Sequence, residues 1–212
     1  MKVTSGAGHA DELVNHWWWR PGWGVGKRFY AWHVNTFADP APLHRLASQY
    51  QEELAAVPGL DLIPREWLHL TMQGVGFVED VPVERVDAVL AAARVRLGTL
   101  EPVTVRFQRP VVHSEAILLP ADPAEPLRTI RYAVRDAITE AVGAVRDEPD
   151  GYTPHISLAY SNTTQPAAPA ITALDRITPR PADLTVTTVS LIELHRDNRQ
   201  YEWRTIERVS LG

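Results

Sequence analysis

The sequence of 212 residues predicts an α+β fold with mixed pairing of strands, built from two related halves. Segments rich in β-branched and aromatic residues alternate with segments whose apolar residues recur at helical spacing. This order of strand, helix, strand and helix occurs in the first half of the chain and again in the second. A short pattern, His followed by an apolar, a hydroxyl and another apolar residue, also occurs once in each half. Together these observations indicate a duplicated fold.

The first half contains two predicted strands and two predicted helices. The strands cover 28–37 and 67–78, and the helices cover 41–57 and 83–97. Asp39-Pro40 follows the first strand, and Pro58-Gly59 ends the first helix, because proline cannot continue either ladder of backbone hydrogen bonds.

The second half repeats these elements. One helix is predicted at 127–142, and the predicted strands lie at 103–107, 116–119, 154–160, 185–194 and 201–209. Residues 164–181 hold four prolines and are expected to form mostly loop, with a short helix near 171–175. The last two strands are joined by a polar turn, so they should form a hairpin.

Residues 1–27 form a Trp-rich N-terminal arm with neither helical nor strand periodicity, and residues 28–212 are interpreted as one domain. The arm contains Trp17, Trp18, Trp19 and Trp23. These rings, with Trp32 of the first strand, could stack on nucleobases. We favour burial against the core, because three consecutive Trp side chains cannot all face one ligand.

Composition excludes several classes of protein. Hydrophobic residues make up 45% of the chain and charged residues 22%, which is enough apolar material for a core. No apolar stretch is long enough to span a membrane, and the N-terminal segment lacks the apolar region of a secretory signal. The absence of cysteine excludes disulfides, thiolate metal sites and a cysteine nucleophile. We therefore expect a cytoplasmic protein with no cofactor, no membrane segment and no stable protein partner.

The charge distribution favours a small anionic ligand over a long nucleic acid. The net charge of −5 argues against a broadly basic surface for nucleic acid. Nevertheless, all but two of the 21 basic residues are arginine, whose planar guanidinium suits phosphate. An anionic substrate would therefore need a focused pocket.

The repeated pattern places chemistry-bearing side chains on two equivalent strands. Since side chains two residues apart in a strand point to the same face, His69 projects beside Thr71 and His155 beside Ser157. If the two strands lie side by side, two imidazoles and two hydroxyls share one cleft. A neutral and a protonated imidazole can act as general base and general acid, and hydroxyls can hold phosphate oxygens. This set suits metal-independent displacement at a phosphodiester.

The segments REWLHLTMQGVGFV (65–78) and GYTPHISLAYSN (151–162) resemble the two signature strands of the 2H phosphoesterase superfamily. The branch that they resemble most is the bacterial 2′-5′ RNA ligase, or RNA 2′,3′-cyclic phosphodiesterase, family. The resemblance implies a bilobal fold of two pseudo-symmetric β/α lobes, with antiparallel-rich sheets beside a central cleft. It also implies metal-independent opening of 2′,3′-cyclic phosphates to 2′-phosphates, with reversible 2′-5′ ligation in some members.

The resemblance assigns His69 and His155 as the acid–base pair, without saying which is the acid, and Thr71 and Ser157 as phosphate-holding hydroxyls. The family often has a basic residue soon after the second motif, where this sequence has Tyr160, an uncharged hydrogen-bond donor. Arg65 and Arg131 are further possible phosphate contacts, and the alternative for each is a solvent-exposed charge. The other histidines, including His33, His113 and His195, are expected to be structural or exposed, because their spacing fits no zinc site.

Three functions remain open from the sequence. The first is a cyclic phosphodiesterase acting on an RNA 3′ end or a small nucleotide. The second is a nucleotide- or RNA-end-binding module of the same fold with little turnover. The third is a 2H-type enzyme that acts on a small phosphodiester other than RNA.

Overall fold

The computed structural model describes residues 8–145 and 151–212, in which four helices pack against antiparallel sheets. The helices are Ala41–Leu54 (α1), Val83–Leu97 (α2), Glu125–Val142 (α3) and Ala168–Asp175 (α4). Helix α2 has the predicted bounds, and α1 and α3 differ from their predicted bounds by no more than one turn. Helix α4 begins earlier than expected, because a proline is favourable in the first turn of a helix, where its missing N–H has no partner to lose.

The strands include every strand that the sequence predicts and several shorter ones that it does not. They are Glu12–Leu13 (β1), Phe29–Val34 (β2), Leu60–Leu62 (β3), Leu70–Phe77 (β4), Val103–Phe107 (β5), Val111–His113 (β6), Ala116–Pro120 (β7), His155–Ser161 (β8), Gln165–Pro166 (β9), Ala182–Val186 (β10), Thr188–His195 (β11) and Glu202–Ser210 (β12). The unpredicted strands β1, β3, β6 and β9 have only two or three residues, too few to show an alternating pattern. The single strand expected at 185–194 is divided between β10 and β11.

The main sheet has the order β12-β11-β2-β4-β8-β7-β6, with β3 also paired to β8, and two further two-stranded sheets join β1 to β9 and β5 to β10. Every pairing of strands in the described part of the chain is antiparallel. The expectation of mixed pairing was therefore wrong. The connections account for the antiparallel pairing of β2 with β4. The elements between them in sequence, α1 and β3, contact β8, which lies on the far side of β4 from β2.

The main sheet is almost divided between β4 and β8, which pair at only one position, Leu70 with Ile156. Strands β12, β11, β2 and β4 form the first lobe and pack on α2 and α3. Strands β3, β8, β7 and β6 form the second lobe, and α1 contacts β3 and β8. The two signature strands therefore meet at the boundary between the lobes, with a cleft on the face that the helices leave uncovered. No helix in the described residues has the length and apolar character needed to cross a membrane.

The stability of the fold should be sensitive to truncation of either side chain of the boundary pair, Leu70 and Ile156. Both Leu70 and Ile156 are 0% exposed, and truncation of a buried leucine to alanine costs about 2–5 kcal/mol. We expect Leu70→Ala to lower the free energy of unfolding in urea by that amount. Val95→Ala is the control, because Val95 lies on α2 and is 70% exposed. Equal free energies of unfolding for the two variants would contradict tight packing of the Leu70 side chain at the boundary between the lobes.

Candidate active site

The two signature histidines have the same local geometry. Nδ1 of His69 lies 2.8 Å from the carbonyl oxygen of Trp67, and Nδ1 of His155 lies 2.8 Å from that of Thr153. A carbonyl oxygen only accepts hydrogen bonds, so Nδ1 carries the proton in both rings. Each neutral ring therefore keeps its Nε2 lone pair free to act on a ligand.

Both histidines lie on one cavity of about 270 Å³ at the boundary between the lobes. The cavity is lined by His16, Trp23, Phe29, Ala31, His33, His69, Thr71, Gly74, Ala116, His155, Ser157, Tyr160, Leu194 and Tyr201. The structure thus brings together both signature histidines, both hydroxyls and Tyr160, five of the seven site residues that the sequence singled out.

The Thr71 hydroxyl is held in a defined environment. The hydroxyl of Tyr152 donates to the backbone carbonyl of Thr71 at 2.7 Å, which fixes the strand at this residue. The Thr71 side-chain oxygen lies 3.4 Å from Nε2 of His33. In the second lobe, Ser157 occupies the equivalent place and is buried.

His33 is a cavity residue that the sequence analysis missed. Its ring stacks on His69, with centroids 4.3 Å apart and planes 6° from parallel, and Trp203 packs against both rings. Nδ1 of His33 is buried without a hydrogen-bond partner among the described residues. Because a buried N–H without an acceptor is rarer than an unpaired acceptor, Nε2 carries the proton and donates to Thr71, whose own O–H stays free for a ligand. Placing His33 in the cavity from the sequence would have required the register of β2 on β4, which pairs His33 with Thr71.

The two arginines proposed as phosphate contacts do not line the cavity. Arg131 is buried behind β4, where its Nε donates to the Met72 carbonyl at 3.0 Å and its guanidinium lies 4.5 Å from the Tyr152 ring. The helical repeat explains this position, because Arg131 shares the buried face of α3 with Leu127 and Val134. Arg65 lies in a separate groove along α1. Arg131 therefore supports the strand that carries Thr71 from behind.

The cavity carries no permanent charge. Among the described residues that line it, none is Asp, Glu, Lys or Arg. Burial lowers the pKa of His69 to about 4, with a rise from its backbone hydrogen bond and a further lowering by His155. Burial also lowers the pKa of His155, and burial followed by the nearby His69 holds the pKa of His33 well below its usual range. The imidazoles are therefore neutral at pH 7 until a ligand brings a negative charge.

The N-terminal arm supplies two more cavity residues, His16 and Trp23. The other arm tryptophans vary in burial: Trp17 is partly buried, whereas Trp18 and Trp19 are 49% and 45% exposed. The preference for burial thus holds for only part of the arm, while Trp32 of β2 is a core residue. The first seven residues of the arm lie outside the described residues. No group of His, Cys, Asp or Glu in the described segments is arranged to hold a metal ion.

The low pKa of His69 predicts a stability that depends on pH. Between pH 6.5 and about 4 the unfolded chain binds a proton at this residue and the folded chain does not, so the free energy of unfolding falls as the pH falls through this window. We expect the free energy of unfolding of His69→Gln, measured in urea, to decrease less steeply than that of the wild type as the pH falls through this range. His44→Gln, on α1 outside the cavity, serves as the control. Parallel curves for wild type and His69→Gln would contradict a buried neutral His69.

Comparison with known proteins shows which structures have a similar fold. The chain is similar to TT0787 of Thermus thermophilus (20% identity, TM-score 0.64, covering 87% of this chain and 97% of that one). It is also similar to Escherichia coli LigT complexed with 3′-AMP (13% identity, TM-score 0.65, covering 88% and 99%). No curated protein sequence matches the chain. The model of the 2′-5′ RNA ligase superfamily matches residues 39–198, which include both signature strands, and so the chain belongs to that superfamily.

Proposed function

We propose that this protein is a metal-independent phosphodiesterase that opens the 2′,3′-cyclic phosphate of an RNA end or a small nucleotide to a 2′-phosphate. The observation that carries the proposal is the equivalence of His69 and His155. Each has its Nδ1 proton fixed by a carbonyl two residues upstream, and each lies on the cavity with a hydroxyl two residues downstream. The crystallisation of LigT with 3′-AMP and with phosphate supports a nucleotide phosphate as the ligand of this fold.

In the proposed reaction, Thr71 and Ser157 donate hydrogen bonds to the non-bridging oxygens of the cyclic phosphate. One histidine accepts a proton from water at Nε2 while the water oxygen attacks phosphorus. The bond from phosphorus to the 3′ oxygen breaks, and the other histidine gives its Nε2 proton to that oxygen. The net change is the addition of one water, which yields a 2′-phosphate and a 3′ hydroxyl.

The acid requires a proton that the free cavity does not hold at pH 7, because burial lowers the pKa of both signature histidines. The anionic phosphate supplies the missing stabilisation, since an opposite charge nearby favours the protonated imidazole. Binding of the substrate thus favours the protonated form of the histidine that acts as the acid. A 5′ hydroxyl in place of water would give a 2′-5′ linkage with the same proton transfers, and this supports reversible ligation as a secondary activity.

The catalytic roles predict large losses on substitution. We expect His69→Ala and His155→Ala each to lower kcat/KM for a nucleoside 2′,3′-cyclic phosphate by about 10²–10⁴-fold, because each removes one positioned proton transfer. His44→Gln, outside the cavity, should retain wild-type turnover. Chromatography of the products should show a 2′-phosphate. A wild-type protein that binds the nucleotide without turning it over would instead be a binding module.

The pH profile tests the electrostatics of the site. A singly protonated pair is needed, and the pKa of His69 is about 4 while that of His155 is also below the usual value of 6.5. We therefore expect a bell-shaped dependence of kcat/KM with its maximum below pH 6.5, falling as the pH rises because the acid loses its proton. A maximum above pH 8 would contradict this assignment.

Activity should be equal with and without EDTA, and a loss on chelation would contradict a reaction that uses only side chains.

A further inference from the structure

The arm, defined here by its described residues 8–27, connects the two lobes across the cleft. On the second lobe, the Val14 amide donates to the carbonyl of Ser114 and the His16 amide to that of Ser161, at 2.7 and 2.8 Å. On the first lobe, the Gly26 amide donates to Asp197 in the turn between β11 and β12, at 3.0 Å. The arm is therefore tied to both walls of the cavity.

His16 is fixed as a wall of the cavity. Its ring stacks on Tyr160, with centroids 4.2 Å apart and planes 16° from parallel. Nδ1 lies 3.2 Å from Glu115 and Nε2 lies 3.1 Å from the Tyr201 hydroxyl. Although burial raises it, hydrogen bonds from His16 and Trp18 lower the pKa of Glu115 to about 2, so this carboxylate is ionised and Nδ1–H donates to it. Both ring nitrogens are occupied, which leaves His16 a contact surface rather than a catalytic base.

Arg196 holds the arm from beneath. It is only 3% exposed, and its Nη2 donates to the backbone carbonyl of His16 at 3.0 Å. Its guanidinium lies within 6 Å of the rings of Trp17, Trp19, Trp23 and Tyr201. Its Nε and Nη1 have no hydrogen-bond partner among the described residues, so contact with the aromatic faces is its main stabilisation.

Trp23 closes the cavity on the side of the first lobe. Its ring packs on Phe29 and Phe77, with centroids 5.4 and 5.2 Å away. The preceding turn needs Gly22, which has a φ of +83° and whose added Cβ would lie 2.6 Å from the Phe77 ring. Gly22 thus allows the backbone of the arm to lie close to the Phe77 ring on this side of the cavity.

We propose that the arm forms part of the substrate site and selects a small cyclic nucleotide over the end of a long RNA. The proposal rests on the proposed phosphodiesterase function. The arm contributes His16 and Trp23 to the lining of a cavity of about 270 Å³, near the lower limit for small-molecule sites. Among the described residues, the lining of the cavity includes no Lys or Arg that could bind the successive phosphates of a polynucleotide, and the chain has a net charge of −5. The size and charge of the site therefore favour a ligand with a single phosphodiester.

The test compares kcat/KM for adenosine 2′,3′-cyclic phosphate and for an RNA oligonucleotide ending in the same group. We expect the wild type to prefer the small substrate by at least about tenfold. Arg196→Met replaces a residue that does not itself line the cavity but donates to the His16 carbonyl, and so releases the arm. It should reduce this preference, with a higher KM for the small substrate and a retained kcat. Arg204→Met is the control, because Arg204 is an exposed residue of β12 that pairs with Glu193. Trp23→Ala provides a second opening of the cavity if Arg196→Met does not fold.

Two results would overturn the proposal. The first is a wild-type preference for the RNA that is lost in Trp18→Ala, since an exposed Trp18 would then be stacking on bases. The second is an unchanged preference in both folded arm variants. If the wild type turns over neither substrate, the proposed function fails, and the arm is tested by binding alone. In that case a larger melting shift with adenosine 2′-monophosphate than with RNA, reduced in Arg196→Met, supports selection by the arm, and equal shifts contradict it.

Discussion

The single pairing of β4 with β8 is the constraint on which the site depends. A longer ladder of hydrogen bonds would merge the two lobes into a flat sheet, whereas one pair, Leu70 with Ile156, joins them and lets them diverge. Because side chains alternate along an extended segment, His69, just before β4, and Thr71, within β4, lie on the cavity while Leu70 between them is buried. The same pairing therefore joins the two lobes and brings their histidines to one cavity.

The surroundings of the histidines restrict their chemistry before any ligand binds. Backbone carbonyls fix the proton of His69 and His155 on Nδ1, and burial keeps both rings neutral. The stacked ring of His33 adds a third neutral imidazole, which directs the Thr71 hydroxyl. A cavity of this kind has no fixed charge to attract an anion from a distance. In the proposed reaction, affinity would therefore come from close contacts, and the proton needed for acid catalysis would be favoured only when the phosphate is in place.

The repeated pattern was sufficient to predict a duplicated fold and the convergence of four side chains, because strand periodicity and internal duplication are visible in the sequence. What it could not provide was the register between distant strands and the path of the irregular arm. His33 enters the cavity through the pairing of β2 with β4, and His16 enters through an arm without periodicity. Arg131 was misplaced for a different reason. Its charge suggested a ligand contact, while the helical spacing of its neighbours already placed it on the buried face of α3.

The arm lies outside the part of the sequence that matches the superfamily model, because that match begins at residue 39. Burying Arg196 with two donors that have no partner among the described residues is unfavourable, and its contacts with the arm offset part of this cost. Where the second motif of the family often carries a cation, this chain has Tyr160, and the arm covers that ring with His16. The same residue therefore lacks a charge suited to polynucleotides and forms part of an aromatic wall. If the arm acts as proposed, this wall would recognise a single nucleotide by contact rather than a chain of phosphates by charge.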